Sequence, residues 1–402
     1  MKQRRGTSTE VLALGLVTIT AYGSWMYGFG VLIDAISTDT GWSMTILGLT
    51  YGLAQVITAL GAFVGGRLLD RIGSIGPFSI QATLGAGLLM TATWMTHPVA
   101  FVLVYGVGGG IVGATGFYHV TTVVASRSRP DEPEQAIARL TVIGAFSSPI
   151  YLPITAWLLS QWHWRSVGRV LAISCFVGAG LAIAFARGGQ TVGELGPSPK
   201  PLRSLRAAMS RPDTRRMLLG FVCAGIAFSS VIVYQVPILA ATGLTLSTAG
   251  SVAGFRGLCQ ILGRVGLIRM VSRFGAGPLL RAAYWTTAAG MGLLLVRSLA
   301  AGVAFAIIAG AALGATAPLQ AMYARARFAG DDLGLLMGMQ GAALGLAGAT
   351  GPLLGAVIRD RTGSWGPTIL IGIVGLVAAG VLLTGSGHDE SESAIPATSP
   401  DD

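Results

Sequence analysis

Long apolar stretches recur along nearly the whole chain, and short polar segments separate them. A helix that crosses a hydrocarbon core of about 30 Å needs about 20 consecutive apolar residues. Twelve stretches of this length occur, so the pattern predicts twelve membrane-spanning helices. The predicted spans, numbered 1 to 12 in chain order, are 11–34, 43–65, 76–95, 98–125, 138–160, 168–186, 216–240, 247–268, 277–296, 299–323, 334–357 and 365–385.

The second half of the chain repeats features of the first. The segment 41–73 aligns with 243–275 without gaps, and the tripeptide GAT at 113–115 returns at 314–316 at almost the same offset. Two separate matches at nearly the same offset indicate an internal duplication, so we expect two parallel repeats of six helices. The matched pairs are Gly41 and Gly243, Gly48 and Gly250, Gly52 and Gly254, Leu60 and Leu262, Gly61 and Gly263, Arg67 and Arg269, Arg71 and Arg273, and Gly73 and Gly275.

Polar segments mark the limits of the two halves. The central one contains GELGPSPKP and several basic residues, and the C-terminal one is polar and acidic, which is typical of disordered chain. The predicted organisation is a cytoplasmic N-terminal segment 1–10, an N-terminal half 11–186, a cytoplasmic linker 187–215, a C-terminal half 216–386 and a disordered cytoplasmic tail 387–402.

Composition agrees with an all-α membrane protein. Of the 402 residues, 52% are hydrophobic and 11% are charged, whereas soluble domains have about 25% charged residues. The chain contains 59 glycines, and small residues let helix backbones approach closely in lipid. We therefore expect a bundle of closely packed helices inside a bilayer.

The net charge of +10 follows the predicted topology. Most of the 27 Lys and Arg residues fall on one predicted side, at the chain ends and in alternate connections. Because such residues are enriched on the cytoplasmic side, we expect a protein of the cell (inner) membrane with both termini in the cytoplasm. This distribution explains the basic charge without a nucleic-acid partner. The residues predicted on the opposite side are Arg165, Arg169, Arg297, Arg359 and Arg361.

No pattern indicates an enzyme, a metal site or a cofactor. The three cysteines, Cys175, Cys223 and Cys259, lie within apolar stretches and are typical of small buried residues. The stretch 108–113 fits G-x-G-x-x-G, but it lies within an apolar helix and no strand precedes it. We interpret it as a helix-packing surface.

The connection after span 2, GRLLDRIG at 66–73, carries G-x-x-x-D-R-x-G. On this motif and the twelve-span pattern, the chain resembles the major facilitator superfamily over its full length. The resemblance implies secondary transport by alternating access and a charge latch that breaks when the halves rock. In the second repeat Ser272 replaces the motif aspartate. The latch residues would be Gly66, Arg67, Asp70, Arg71 and Gly73, with Arg269 and Arg273 in the second repeat.

Three stretches are similar to the monocarboxylate transporter family and its bacterial relatives. They are YGSWMYGFGVLIDAISTDTGWS at 22–43, Arg139 with the glycine-rich helix that follows it, and Gly263-Arg264 with the later R-F-G at 273–275. The resemblance implies that Arg264 binds a substrate carboxylate. Two departures weaken the parallel for proton coupling, because Gln260 replaces a family aspartate and Val31 replaces a family lysine.

Charged and aromatic residues within the spans are candidates for the substrate path. A guanidinium in hydrocarbon is costly, and Arg264 can offer a carboxylate two parallel hydrogen bonds. Arg256 lies about 12 Å away along the same predicted helix, either as a second cationic subsite or paired with polar neighbours. The other candidates are Tyr27, Tyr118, Tyr234 and Gln260, for each of which a packing or interhelical role is the alternative.

Two residues are candidates for carrying a coupled proton. His119 is the one histidine in a predicted span, and an imidazole titrates near neutral pH. The alternative is a neutral histidine hydrogen-bonded between helices. Asp34 lies near the end of span 1, where it is either a proton carrier or a residue of the outer mouth.

These observations predict a secondary active transporter of small organic anions, with monocarboxylates moved in symport with protons. An oxalate–formate type anion exchanger is the nearest alternative, since two arginines suit a doubly charged substrate. Drug efflux by the same fold is a second alternative. A non-transporting membrane sensor is a third, although no added receptor domain supports it.

Overall fold

The computed structural model describes residues 8–129, 131–186, 209–327 and 333–384, and within these the chain is helical with short connections. The helices form the twelve spans predicted from sequence, and eight of the described helical stretches are long and apolar enough by themselves to cross a membrane. The fold class is therefore confirmed. The central linker up to 208, the segment 1–7 and the tail from 385 lie outside the described residues.

The helices of the N-terminal half are Ser8–Ala21, Tyr22–Tyr27 and Gly28–Thr40 in span 1, Met44–Ile72 in span 2, Ile75–Ile80, Gln81–Gly85 and Ala86–Ala92 in span 3, Pro98–Gly116 and Tyr118–Ser128 in span 4, Pro133–Gly144 and Ser147–Gln161 in span 5, and Trp164–Phe185 in span 6.

The helices of the C-terminal half are Pro212–Ile232 and Gln235–Ala241 in span 7, Leu246–Leu262 and Leu267–Phe274 in span 8, Ala276–Gly292 and Leu293–Leu295 in span 9, Leu299–Arg327 in span 10, Leu333–Thr362 in span 11, and Gly366–Leu382 in span 12. Span 7 begins at Pro212, so its first turn replaces the end of the predicted linker.

Several spans are broken where one continuous helix was predicted. Span 8 stops at Leu262 and resumes at Leu267 after Gly266, whose φ of 70° only glycine adopts easily. Span 1 passes through a π-helix at Tyr22–Tyr27. Such interruptions leave no apolar gap in the sequence, so hydrophobicity alone did not reveal them.

Contacts between helix ends define the two sides of the molecule. We name the side with the Gly73 turn the inner side and the side with the Gly41 turn the outer side, following the predicted charge distribution. Ser128 Oγ donates to Glu10 at the start of span 1, and Arg281 donates to the carbonyl of Leu383 after span 12. The two ends of the described chain therefore lie on the inner side.

The two halves meet in two seams, and matched glycines of the repeat form both. Span 2 packs on span 11, and span 8 packs on span 5. A Cβ at Gly48 would lie 2.7 Å from the Ala356 Cβ, and a Cβ at Gly250 would lie 2.9 Å from the Leu152 carbonyl oxygen. Both glycines lie in the outer part of their helices, so close contact holds the two seams together at their outer ends.

We expect Gly250→Leu to lower the thermal unfolding midpoint, because forcing a side chain into a closely packed seam costs about 1–3 kcal/mol. Gly87→Leu is the matched control, since that helical glycine is exposed and has open space around its Cβ position. The measurement is thermal unfolding of the purified variants in detergent. Equal midpoints for the two variants would contradict the proposed tight contact.

Candidate functional site

A small cavity lies between the halves at the level of the span 8 break. We name it the basic pocket. It has a volume of about 110 Å³, and Arg264 is the cation among its lining residues. Spans 1, 4, 5 and 8 supply its walls, so both halves contribute. The lining residues are Tyr22, Tyr27, Tyr118, Gly144, Ala145, Ser147, Ser148, Gly257, Gln260, Ile261 and Arg264.

Arg264 reaches this pocket because the span 8 helix ends two residues before it. Its backbone N–H donates to Ile261 in the terminal turn, and its side-chain Nε donates to the carbonyl of Gly314 on span 10 at 3.3 Å. Arg264 is exposed although it lies in the bundle, and no ion pair is formed by it among the described residues. The remaining N–H groups of its guanidinium are therefore open to a ligand.

Hydroxyl groups surround the guanidinium. The phenol of Tyr118 donates to the Thr141 carbonyl at 3.3 Å, which fixes its ring beside the pocket. Ser147 donates to the carbonyl of Ile19 at 2.9 Å and so joins span 5 to span 1. Tyr27 and Gln260 add a phenol and an amide. One cation among neutral polar groups is a suitable environment for a single carboxylate.

A larger cavity adjoins the basic pocket, and we name it the central chamber. Its volume is about 540 Å³, and Tyr22 lines both cavities. The Tyr22 ring stacks on Phe117 with centroids 3.6 Å apart and planes inclined by 4°. The chamber walls are mainly apolar, and the lining residues are Tyr22, Met26, Gln55, Thr58, Ala59, Ala62, Phe117, His119, Gly341, Leu344 and Gly345.

His119 lines the central chamber and does not touch the basic pocket. Its Nε2 lies 3.2 Å from the carbonyl oxygen of Ala114, so it is also hydrogen-bonded within span 4. The imidazole is thus partly buried and bonded within its own span, not between helices, and it also lines the cavity. Span 4 is interrupted at Phe117, and this break turns His119 toward the chamber.

Arg256 is the second intramembrane arginine, and among the described residues it lines neither the basic pocket nor the central chamber. Its exposed fraction is 2%, and its Nε donates to Gln235 Oε1 at 2.7 Å. The sequence analysis did not single out Gln235. A polar residue in an otherwise apolar span was the signal that could have identified it.

Tyr234 does not line either cavity, contrary to the expectation from sequence. It is fully buried, its hydroxyl donates to the Pro352 carbonyl at 2.7 Å, and its ring stacks on Trp365. The reason is the break in span 7 just before Gln235, which turns this ring toward spans 11 and 12. Tyr234 is a packing residue of the C-terminal half.

Asp34 belongs to a separate cavity on the outer side. This outer chamber of about 490 Å³ is lined by Val31, Asp34, Asp39, His163 and neighbouring residues of spans 1, 5, 7 and 8. The outer chamber and the basic pocket have no lining residue in common among the described residues. Its position fits the outer-mouth alternative better than direct proton transfer to substrate.

The predicted latch is described only in part. Gly66, Arg67, Asp70 and Arg71 fall in the last turns of span 2, where side chains lie outside the description, and Gly73 ends the helix with φ 66°. In the second repeat, Arg269 and Arg273 are exposed, and the Arg273 guanidinium lies 5.2 Å from the Phe274 ring centre. The latch remains a prediction.

A bond between the halves that sequence did not predict lies on the outer side. The carboxylate of Asp360, in the last turn of span 11, accepts hydrogen bonds from the backbone N–H groups of Met44 and Thr45 at 2.9 and 2.7 Å. It thereby caps the N-terminus of span 2, where an anion is favoured by the helix dipole. Both central cavities lie further toward the inner side.

The sequence matches the family model of the Major Facilitator Superfamily twice, over residues 13–242 and 217–399. The two matches correspond to the two halves and together span most of the chain. The chain belongs to the Major Facilitator Superfamily. This major facilitator protein is thus a membrane transporter and not an enzyme.

Solved structures of other transporters share this fold at low sequence identity. The nucleoside transporter NupG has a TM-score of 0.76 and 14% identity, covering 95% of this chain and 100% of its own. A D-xylose-proton symporter has a TM-score of 0.72 and 15% identity, covering 93% of this chain and 96% of its own. A third structure is a bacterial homologue of the human lysosomal transporter Spinster in an inward-facing and unoccupied conformation. It has a TM-score of 0.69 and 17% identity, covering 96% of this chain and 95% of its own. No curated protein sequence matches the chain.

We expect Asp360→Asn to favour opening of the outer side, because it removes the charge that caps span 2. Spin labels attached at Gln161→Cys and Thr245→Cys, one on each half, would measure this opening by double electron–electron resonance. The distance between the labels should be longer in the Asp360→Asn variant than in the wild type. Asp39→Asn is the matched control, since Asp39 bonds to His163 and Trp164 within the N-terminal half alone. An unchanged distance in the Asp360 variant would contradict the capping role.

Proposed function

We propose that this major facilitator transporter carries small organic anions, with a carboxylate held at Arg264. The supporting observation is a basic pocket shared by both halves, in which one exposed guanidinium lies among neutral hydroxyl and amide groups. A ligand bound between spans 5 and 8 contacts both halves at once. Binding there therefore couples to the rocking motion by which this fold alternates access.

The neighbouring central chamber accommodates the rest of the substrate. Its mainly apolar wall, with the stacked rings of Tyr22 and Phe117, suits a hydrocarbon or aromatic group beside the carboxylate. Among the described residues no carboxylate lines either cavity, which disfavours a cationic drug as substrate. We therefore favour monocarboxylates as the substrate class over the hydrophobic drugs of an efflux transporter.

Proton symport is the coupling that we propose, with His119 as the proton carrier. The imidazole lies in the chamber next to Phe117, and the chamber meets the basic pocket at Tyr22. Protonation of His119 would add a positive charge near the bound anion and stabilise it. Gln260 replaces the aspartate of the monocarboxylate transporter family that the chain resembles, and a neutral amide cannot serve as the proton carrier.

We expect Arg264→Gln to weaken carboxylate binding about tenfold or more, because a charge-assisted hydrogen bond contributes roughly 1.5–3 kcal/mol. The measurement is titration calorimetry of lactate, pyruvate and benzoate with purified protein. Arg297→Gln is the matched control, an exposed arginine in the outer connection between spans 9 and 10. Equal affinity in the Arg264 variant and the wild type would reject the anchor.

We expect His119→Gln to abolish uptake driven by an inward proton gradient while leaving substrate counterflow in proteoliposomes near the wild-type rate. Counterflow needs binding and rocking but no net proton movement. If gradient-driven uptake survives in the variant, His119 is not the carrier. If the wild type itself shows counterflow and no response to pH, anion exchange of the oxalate–formate kind is favoured over symport.

A further inference from the structure

Span 5 carries a row of exposed apolar side chains along one face. The row recurs every three or four residues, which places its members above one another on a helix. The residues of span 5 that line the basic pocket do not belong to it. Apolar side chains exposed along a membrane-spanning helix face lipid. The members of the row are Val142, Phe146, Ile150, Ile154 and Trp157.

Arg139 continues this row at its inner end. It is exposed and lies three residues before Val142. It also lies 18 residues before Trp157, which is about 27 Å along a helix and close to the 30 Å thickness of a hydrocarbon core. Trp is enriched at membrane interfaces, so Trp157 fits the outer boundary. The Arg139 guanidinium is therefore on the lipid-facing surface at the level of the inner headgroups.

A groove lies beside Arg139, between the inner ends of spans 1 and 5, and we name it the inner groove. Its volume is about 400 Å³, and Arg139 is the charged residue among those that line it. It closes one turn deeper, where a Cβ at Gly15 would lie 2.5 Å from the Ile143 side chain. The lining residues are Val11, Leu12, Ala138, Arg139, Val142 and Ile143.

The charge of Arg139 is poorly compensated by the protein. Its guanidinium donates to the Gln135 Oε1 at 3.5 Å, and an amide oxygen leaves the positive charge in place. Among the described residues Arg139 forms no ion pair. A cation at the inner interface beside an apolar groove is complementary to an amphiphile with an anionic head and a hydrocarbon chain.

We propose that the inner groove binds an anionic phospholipid of the inner leaflet. The lipid phosphate accepts hydrogen bonds from the Arg139 guanidinium, and one acyl chain lies between Leu12 and Val142. The lipid-facing position favours a bilayer lipid over a water-soluble phosphate, because the apolar wall contributes only when a hydrocarbon chain is present. This site is separate from the basic pocket, since the two share no lining residue among those described.

The test is native mass spectrometry of the purified protein in detergent with phosphatidylglycerol or phosphatidylcholine of identical acyl chains. For the wild type we expect phosphatidylglycerol to bind roughly fivefold more tightly, the effect of one basic residue at the membrane surface. In Arg139→Gln that ratio falls to about one. Equal affinities of the wild type for the two lipids would overturn the proposal.

Arg325→Gln is the matched control, because Arg325 is exposed at the inner end of span 10 and does not line the groove. We expect this variant to keep the full preference for phosphatidylglycerol. An equal loss of preference in the Arg139 and Arg325 variants would reveal a general attraction between the basic inner side and anionic lipid. That result would overturn a specific site.

A second pair of measurements tests the acyl-chain part of the groove. Ala138→Trp fills the groove without changing its charge, and we expect it to lower the affinity for phosphatidylglycerol as far as Arg139→Gln does. Inorganic phosphate in millimolar excess should not displace the bound lipid from the wild type. Displacement by phosphate, or unchanged lipid binding in Ala138→Trp, would show that the groove holds no lipid chain and would overturn the proposal.

Discussion

Backbone contact at the outer ends of two helix pairs is the constraint on which this structure depends. In a bilayer, helices gain little from burying apolar side chains against each other, and close packing of small residues holds them together. Gly48 and Gly250 provide that packing across the two halves, and Asp360 adds a charged bond on the same side. Because these contacts lie at the outer ends of the two helix pairs, the basic pocket and the central chamber lie nearer the inner side, and a separate outer chamber remains beside spans 1 and 7.

The cavities take their chemistry from interruptions of the helices. Span 8 stops at Leu262, which frees the Arg264 side chain toward the basic pocket, and span 4 stops at Phe117, which turns His119 into the central chamber. Broken helices expose unpaired backbone groups, and in membranes they persist where protein or a polar cavity satisfies them. The same breaks that cost helical hydrogen bonds therefore create the places where a polar ligand can be held.

The sequence predicted the architecture well because hydrophobic length and the internal repeat are one-dimensional signals. The repeat that pairs Gly48 with Gly250 can be read directly from the sequence. In the structure, both glycines allow close packing between the two halves. The sequence was less informative about the direction in which individual side chains point. Tyr234 was expected in the cavity by analogy with Tyr27, yet a local break turns it toward Trp365. The Asp360 bond was missed because its partner is a helix N-terminus, which offers backbone groups and no distinctive side chain.

The π-helix of span 1 gives the pocket a second kind of adjustability. Tyr22 and Tyr27 are five residues apart, and π winding, with its i to i+5 hydrogen bonds, brings them to the same cavity with ring centres 6.4 Å apart. In a regular α-helix, residues five apart point in directions that differ by about 140°. Rewinding one turn of span 1 would thus remove a phenol from the cavity while both halves stayed in place. A change in helix register, and not only a tilt of the halves, could therefore reshape this wall of the basic pocket.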